Sequence, residues 1–237
     1  MNILITGGAS GLGEAITGKL AEDKANKVYF TYCRSEQKAK ELEKTNAIAI
    51  RLDFTDPASV QEFILSLQKL DIDVLINNAI TGYSQDYFHK ISSKVFVDSF
   101  KTNVFPTIQL TQELIRLFRK RKFGKIITIL TSGLIDTPPV GWSEYTANKA
   151  YLHSMVKSWA IENNSFNITS NAVSPSFMLT NLTSRMDERL VELSEQNHPL
   201  KKMLKPEEVA DSVNFLVNST QQINGINLIL NAGVHVI

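Results

Sequence analysis

Seven short apolar runs alternate with longer segments of helical periodicity, and no other feature constrains the fold as strongly. The runs are Asn2–Thr6, Lys27–Tyr32, Ala47–Asp53, Asp73–Asn77, Lys125–Leu130, Ile168–Ser174 and Asn227–Leu230. They are apolar on both faces, as strands covered by helices on both sides should be. Helical patterns fall at 13–22, 36–45, 57–70, 93–118, 144–163 and 206–218. Asp56-Pro57 reads as an N-cap followed by a first helical residue, and Lys205-Pro206-Glu207-Glu208 as a similar start. Strict alternation implies parallel strands joined by right-handed crossovers. The expected class is therefore α/β: a doubly wound parallel sheet of about seven strands with helices on both faces.

A chain of 237 residues suits one such domain, expected to span 1–237. One long irregular stretch, about 175–205, separates a late strand from a late helix, and a loop that long inside a compact domain reads as a substrate lid. Lysine and arginine (25) nearly balance aspartate and glutamate (24), so no global field draws the chain to nucleic acid or to a membrane surface. The opening MNILITGG lacks the basic and apolar regions of a signal peptide, and no run reaches the roughly 18 apolar residues of a membrane helix. Cys33 is the single cysteine and has no intrachain partner, which fits a reducing cytoplasm.

The first run ends at Thr6-Gly7-Gly8-Ala9-Ser10-Gly11-Leu12-Gly13, and a helix follows. Glycines let backbone approach a pyrophosphate, and a helix N-terminus offers free N–H groups and a positive dipole end. The spacing is G-x-x-x-G-x-G rather than the common G-x-G-x-x-G.

This turn resembles that of the classical short-chain dehydrogenase/reductase family, and further matches follow in the family's order. Asn77-Asn78-Ala79 closes the fourth strand like the family's NNAG. Asn103 lies in the next helix, Ser132 follows the fifth strand, and Tyr145-x-x-x-Lys149 stands 13 residues beyond it. Pro175 follows the sixth strand, and Asn231-Ala232-Gly233 resembles the closing D-G-G. Ile80, Ser176 and Val234 stand where the family has glycines. The resemblance implies a Rossmann-type fold and hydride transfer between a nicotinamide dinucleotide and a carbonyl or alcohol. Its nearest members are 3-oxoacyl-(acyl carrier protein) reductases, with reductases of sugars, polyols or cyclic ketones not well separated. A dinucleotide-sensing regulator without chemistry is the rival of another class.

By resemblance, Gly7, Ser10, Gly11, Leu12, Gly13, Asp53, Asn77, Ala79, Tyr145, Lys149 and Pro175 contact the cofactor. Dinucleotide choice is set at the end of the second strand, which reads Thr31-Tyr32-Cys33-Arg34-Ser35. It has no acid to hold ribose hydroxyls, and the Arg34 guanidinium can grip a 2′-phosphate, so NADP(H) is expected ahead of NAD(H).

Tyr145 and Lys149 are four apart and share a helix face. A phenol with a pKa near 10 needs help to exchange protons at neutral pH, and a neighbouring ammonium supplies it. The resemblance makes Tyr145 the general acid or base, Lys149 its electrostatic partner and ribose ligand, Ser132 the hydrogen-bond donor to the carbonyl, and Asn103 the holder of a relay water. Thr131 replaces Ser132 if the register slips by one.

The pocket is expected to be lined by Leu134, Ile135, Pro138, Trp142, Phe177 and Met178, with apolar cover from Leu179, Leu182 and Met186. His89, His153, His198 and His235 show no metal-ligand spacing, so no metal site is expected. Arg119, Lys120, Arg121, Lys122 and Lys125 form a basic cluster that suits either a solvated helix end or an acidic partner such as acyl carrier protein. Apolar residues beyond one stripe of the two long helices, among them Phe96, Phe100, Tyr151, Met155 and Trp159, point to a homo-oligomer, most simply a tetramer.

Overall fold

The structure, a computed structural model, describes residues 1–135, 137–180 and 188–234. Leu182, Met186 and His235 lie outside the described residues. Strand β1 (Asn2–Ile5) leads through helix α1 (Gly11–Ala21) to β2 (Lys27–Tyr32), then α2 (Glu36–Leu42), β3 (Ala47–Arg51), α3 (Pro57–Ser66) and β4 (Val74–Asn77). The second half runs α4 (Ser93–Ser99), α5 (Phe105–Arg121), β5 (Gly124–Ile129), α6 (Ser143–Asn163), β6 (Ile168–Pro175), α7 (Glu188–Asn197), α8 (Pro206–Asn218) and β7 (Asn227–Leu230). All seven strands are parallel, in the order β3-β2-β1-β4-β5-β6-β7. Strand order reverses between β1 and β4, so their carboxyl ends flank the crevice where such sheets bind ligands.

Side-chain alternation along the strands sorts the core into two layers. Ile3, Ile5, Val74, Ile76, Ile127 and Ile129 pack against α1 and α8. Leu4, Leu75 and Ile126 face Val60, Leu110, Leu114 and Val156 of α3, α5 and α6. The expected helix starts are present. The Asp56 carboxylate accepts from Ala58 N–H at 2.9 Å ahead of Pro57, and the Glu208 carboxylate accepts from Lys205 N–H at 2.8 Å.

Two expectations need correction. The continuous helix over 93–118 is broken by a π-turn at Phe100–Val104, where Phe105 N–H reaches back five residues to Phe100 C=O. Pro106 lacks the N–H that an unbroken α-helix would require there, so the ladder is re-registered around it. The stretch 175–205, expected to be irregular, contains α7, and its base is closed by a parallel bridge between Met178 and Leu204.

Near the C-terminus Ala232 holds φ +53 and Gly233 φ +75. The strained position is therefore Ala232, where a Cβ meets the left-handed region at a cost of about 1 kcal/mol. Ala232→Gly should raise Tm by roughly 2–4 °C in a chain of this size, measured by calorimetry. An unchanged or lower Tm would show the site to be relaxed. Ile80 and Ser176 do not adopt left-handed backbone, so those departures carry no such strain.

Candidate active site

The carboxyl ends of β1, β2, β4, β5 and β6 open into one cavity of about 560 Å³. Gly7, Ser10, Gly11, Leu12 and Gly13 form one end, with Arg34 and Asp53 beside them. Ala79, Ser132, Tyr145, Lys149 and Pro175 form the other.

The glycine turn is tied to its neighbours on all sides. Gly7 N–H donates to the Thr31 hydroxyl at 3.0 Å, and Thr17 donates to Gly8 C=O at 2.9 Å. A Cβ on Gly13 would stand 2.0 Å from Gly7 C=O, so only glycine permits this crossing of turn and helix. Gly11, at φ +52, keeps the backbone open towards Thr180. Ser10 caps α1 without a side-chain bond, which leaves the N-terminal N–H groups of α1 directed at the cavity. This cradle fits a pyrophosphate.

At the far end of that cradle, Arg34 is exposed and has no hydrogen bond or ion pair among the described residues. Glu36, the nearest acid in sequence, is engaged by Lys40 at 2.9 Å. Asp53 accepts from the Thr55 hydroxyl at 2.7 Å and from Thr55 N–H at 2.8 Å, and those bonds hold its carboxyl below the usual range. Burial, with the Asp53 carboxylate next, pushes the Cys33 thiol up, away from thiolate reactivity.

Asn77 is a correction. Alternation along β4 turns it to the layer of Leu75, where its amide donates to the Thr111 hydroxyl at 3.0 Å, and it does not line the cavity. The next residue faces the glycine turn: the Asn78 amide donates to Thr6 C=O at 3.0 Å and Gly7 C=O at 3.1 Å. Period-two alternation from Leu75 was the signal that could have separated the two.

At the other end, Ser132 opens a short 3-10 turn over Ser132–Leu134, and the Thr131 hydroxyl caps it by accepting from Gly133 N–H at 3.3 Å. Thr131 also lies beside Tyr145 and acts to lower the pKa of its phenol. Ser132 and Thr131 both line the cavity. Lys149 donates from Nζ to Ile129 C=O at 2.7 Å, and its Nζ stands 5.8 Å from the Tyr145 ring centre. Burial pushes the Tyr145 phenol up to about 12, only partly offset by Thr131, and pushes Lys149 down to about 8. Desolvation of the phenolate dominates at Tyr145.

Asn103, expected to hold a relay water, sits in the π-turn Phe100–Val104 and does not itself line the cavity. Its side-chain oxygen accepts from Thr81 N–H at 2.7 Å, and its carbonyl accepts from the Thr107 hydroxyl at 2.9 Å. Trp142, Phe177 and Met178 line the cavity, whereas Leu134, Ile135 and Pro138 do not, and Thr137 and Pro139 take their place. The 3-10 turn explains the exchange, since it carries Leu134 towards the core. Ile80 and Ser176 line the cavity and add side chains where glycines would leave space.

The basic cluster is largely consumed internally. Arg119 donates to Asn163 Oδ1 at 2.8 Å and to Glu162 C=O at 2.9 Å, and Arg121 bonds Asp71. Lys125 is buried and donates to Val217 C=O at 2.7 Å at the end of α8. Lys120 and Lys122 remain exposed. In one chain they lie at the amino end of β5, whose length is roughly 17 Å at ~3.3 Å per residue, and Ser132 lies beyond its carboxyl end. Among the described residues no group of acids, histidines or cysteines could hold a metal, and no helix is long and apolar enough to cross a membrane.

A family model described as Enoyl-(Acyl carrier protein) reductase matches residues 7–235. The 3-oxoacyl-[acyl-carrier-protein] reductase FabG of Buchnera aphidicola subsp. Acyrthosiphon pisum is 33% identical over 98% of this chain and 96% of its own length. FabG of Aquifex aeolicus is 30% identical over 98% and 96%. A solved structure described as a short chain dehydrogenase/reductase family protein superposes with a TM-score of 0.85 at 29% identity, over 98% of this chain and 96% of its own. An actinorhodin polyketide ketoreductase shares the fold, with a TM-score of 0.87 at 21% identity over 99% and 97%. The order of motifs, the cavity they enclose and these matches place the chain in the short-chain dehydrogenase/reductase family of oxidoreductases.

Proposed function

We propose that the protein is an NADP(H)-dependent reductase of a 3-oxoacyl thioester. The observation that carries the cofactor reading is Arg34, an exposed cation at the adenosine end of the cavity that, among the described residues, has no hydrogen bond or ion pair, though it acts electrostatically on Asp53. The substrate reading rests on the wall of Ile80, Trp142, Phe177 and Met178 around Ser132 and Tyr145. A sugar site would need several more donors and acceptors there. The names of the curated relatives support it, as they specify 3-oxoacyl groups on acyl carrier protein.

When bound, the nicotinamide supplies the hydride. The chain does the rest. The glycine turn and the start of α1 hold the pyrophosphate, and Arg34 holds the 2′-phosphate. Ser132 donates a hydrogen bond to the substrate carbonyl oxygen and fixes its distance from Tyr145. Tyr145 gives its phenolic proton to that oxygen as charge develops. Lys149, protonated at neutral pH, stabilises the phenolate left behind. Asp53 sits by the adenosine end.

The basic cluster does not provide the carrier's docking site in a single chain, for the internal contacts and distance given above. Trp159 is buried in the core and Phe100 and Met155 pack against it, so they do not offer the surface expected of them, while exposed Val97, Phe105 and Tyr151 on α4, α5 and α6 suit burial against a second copy of the chain.

The test follows NADPH oxidation against a panel: acetoacetyl N-acetylcysteamine, a carrier-bound 3-oxoacyl thioester, several keto-sugars and a cyclic ketone. Turnover of the thioesters above all others is expected. Turnover of a keto-sugar or cyclic ketone with none of the thioesters would overturn the substrate and leave the hydride transfer standing. No turnover of any carbonyl would favour a nucleotide-sensing role.

A further inference from the structure

Glu144, immediately before Tyr145, is only 2% exposed and has no ion pair among the described residues. An unpaired buried carboxylate is costly unless several donors satisfy it. Here three donors converge. Ser84 N–H donates to Oε2 at 3.0 Å, Asn148 Nδ2 donates to Oε1 at 3.0 Å, and the Ser99 hydroxyl donates to Oε1. The donors come from three different elements: the irregular segment after β4, the catalytic helix α6 itself, and α4.

The bonds continue beyond the carboxylate. The Ser99 oxygen accepts from Asn148 Nδ2 at 2.8 Å and from Asn103 Nδ2 at 3.2 Å. Asn103 in turn accepts from Thr81 N–H and from the Thr81 hydroxyl, at 2.7 and 3.0 Å. Ile80 and Thr81 line the cavity, and the Tyr83 ring lies 5.4 Å from that of Tyr145. Glu144 and Asn148 directly precede Tyr145 and Lys149, so one turn of α6 carries the reactive pair and the clamp together.

We infer that Glu144 is a positioning residue: with Asn148 and Ser99 it clamps segment 81–84 and α4 onto α6, and so sets the cavity wall against the Tyr145 phenol. The surrounding segment has no regular backbone pairing, so its N–H groups depend on side-chain acceptors. The inference rests on the hydride-transfer reading of this site, but its physical part, the clamp, has a readout that needs no substrate.

The experiment is a transposition. Glu144→Leu removes both acceptor oxygens, and turning over the Asn148 amide cannot replace the one that Ser84 N–H needs. Asn148→Asp sets a second carboxylate against Glu144. In the double variant Glu144→Gln with Asn148→Asp, the amide oxygen at position 144 accepts from Ser84 N–H, and its NH2 donates to the carboxylate at position 148. Ser99 donates to that same carboxylate, so every bond is restored with the charge moved one turn along α6. Each variant is compared with the parent by hydrogen-exchange mass spectrometry of peptides covering 80–87. NADPH affinity and kcat are measured with acetoacetyl N-acetylcysteamine or whichever panel carbonyl the parent reduces.

Each single variant should exchange at 80–87 at least tenfold faster and lose about tenfold or more in kcat. NADPH affinity should stay within twofold, since the nucleotide cradle is at the other end of the cavity. The double variant should recover most of both losses, which a nonspecific packing defect would not allow. If a single variant fails to fold, the double variant still decides: parent-like exchange and turnover support the clamp, and an unfolded or inactive double variant overturns it. Unchanged exchange at 80–87 in Glu144→Leu also overturns it. A parent that reduces no carbonyl defeats the hydride-transfer reading, while the exchange comparison still tests the clamp.

Discussion

Tyr145→Phe should leave the fold and NADPH binding intact and cut carbonyl reduction by about 10²–10⁴-fold, the usual worth of a positioned general acid. The substitution removes one oxygen and keeps the ring that packs edge-on to Trp142 at 5.4 Å. Burial pushes the phenol up to about 12, so Tyr145 carries its proton throughout the neutral range, as an acid for reduction must. The opposite direction is harder, because the phenolate must form in a desolvated site. Lys149, pushed down to about 8 by burial, is the group whose charge makes that possible. As pH rises through about 8 its ammonium is lost, and reduction by the parent should weaken there rather than near 10, where an exposed lysine titrates. Steady-state kcat/KM across pH 6–10 for parent and variant checks both points. Turnover of the variant within threefold of the parent would remove Tyr145 from the chemistry.

What the sequence made legible followed from patterns that single residues enforce. Strands apolar on both faces could only lie inside a helix-covered sheet, and β1, β4, β5 and β6 do. Asp56-Pro57 marked the start of α3 because an N-cap acceptor and a residue without N–H suit the same turn. The ordered motifs led to most of the residues that line the cavity. The misses share another cause: they depend on what a side chain meets across the fold. Asn77 and Asn78 are chemically identical, and only strand phase sends one to Thr111 and the other to the glycine turn. Lys125 reads as part of a basic surface run until β5 carries it beneath the end of α8. Glu144, in the first turn of α6, carries no motif, and its burial depends on α4 and the segment after β4 closing over it.

In the function proposed above, the choice of cofactor turns on Arg34, which acts electrostatically on Asp53 without a direct ion pair to it. Arg34→Asp should lower NADPH affinity by roughly 30- to 150-fold, because a charge-assisted bond to phosphate contributes about 2–3 kcal/mol. Repulsion between the new carboxylate and the 2′-phosphate adds to the loss. NADH should bind the variant at least as well as it binds the parent, since an aspartate there can accept from ribose hydroxyls. The parent's preference for NADPH should therefore narrow sharply or reverse. The surroundings leave Arg34 available for this. Glu36 is held by Lys40, and Asp53 is bonded to Thr55, so neither acid engages the guanidinium in a direct ion pair. The glycine turn carries no second base to share the load, which concentrates the discrimination on one side chain. Arg34 is exposed on the cavity rim, so the substitution should leave Tm nearly unchanged and a lost affinity would not reflect a lost fold. Fluorescence titration of both dinucleotides against parent and variant decides the matter. Equal NADPH and NADH affinities in the parent would place Arg34 outside the recognition of the phosphate.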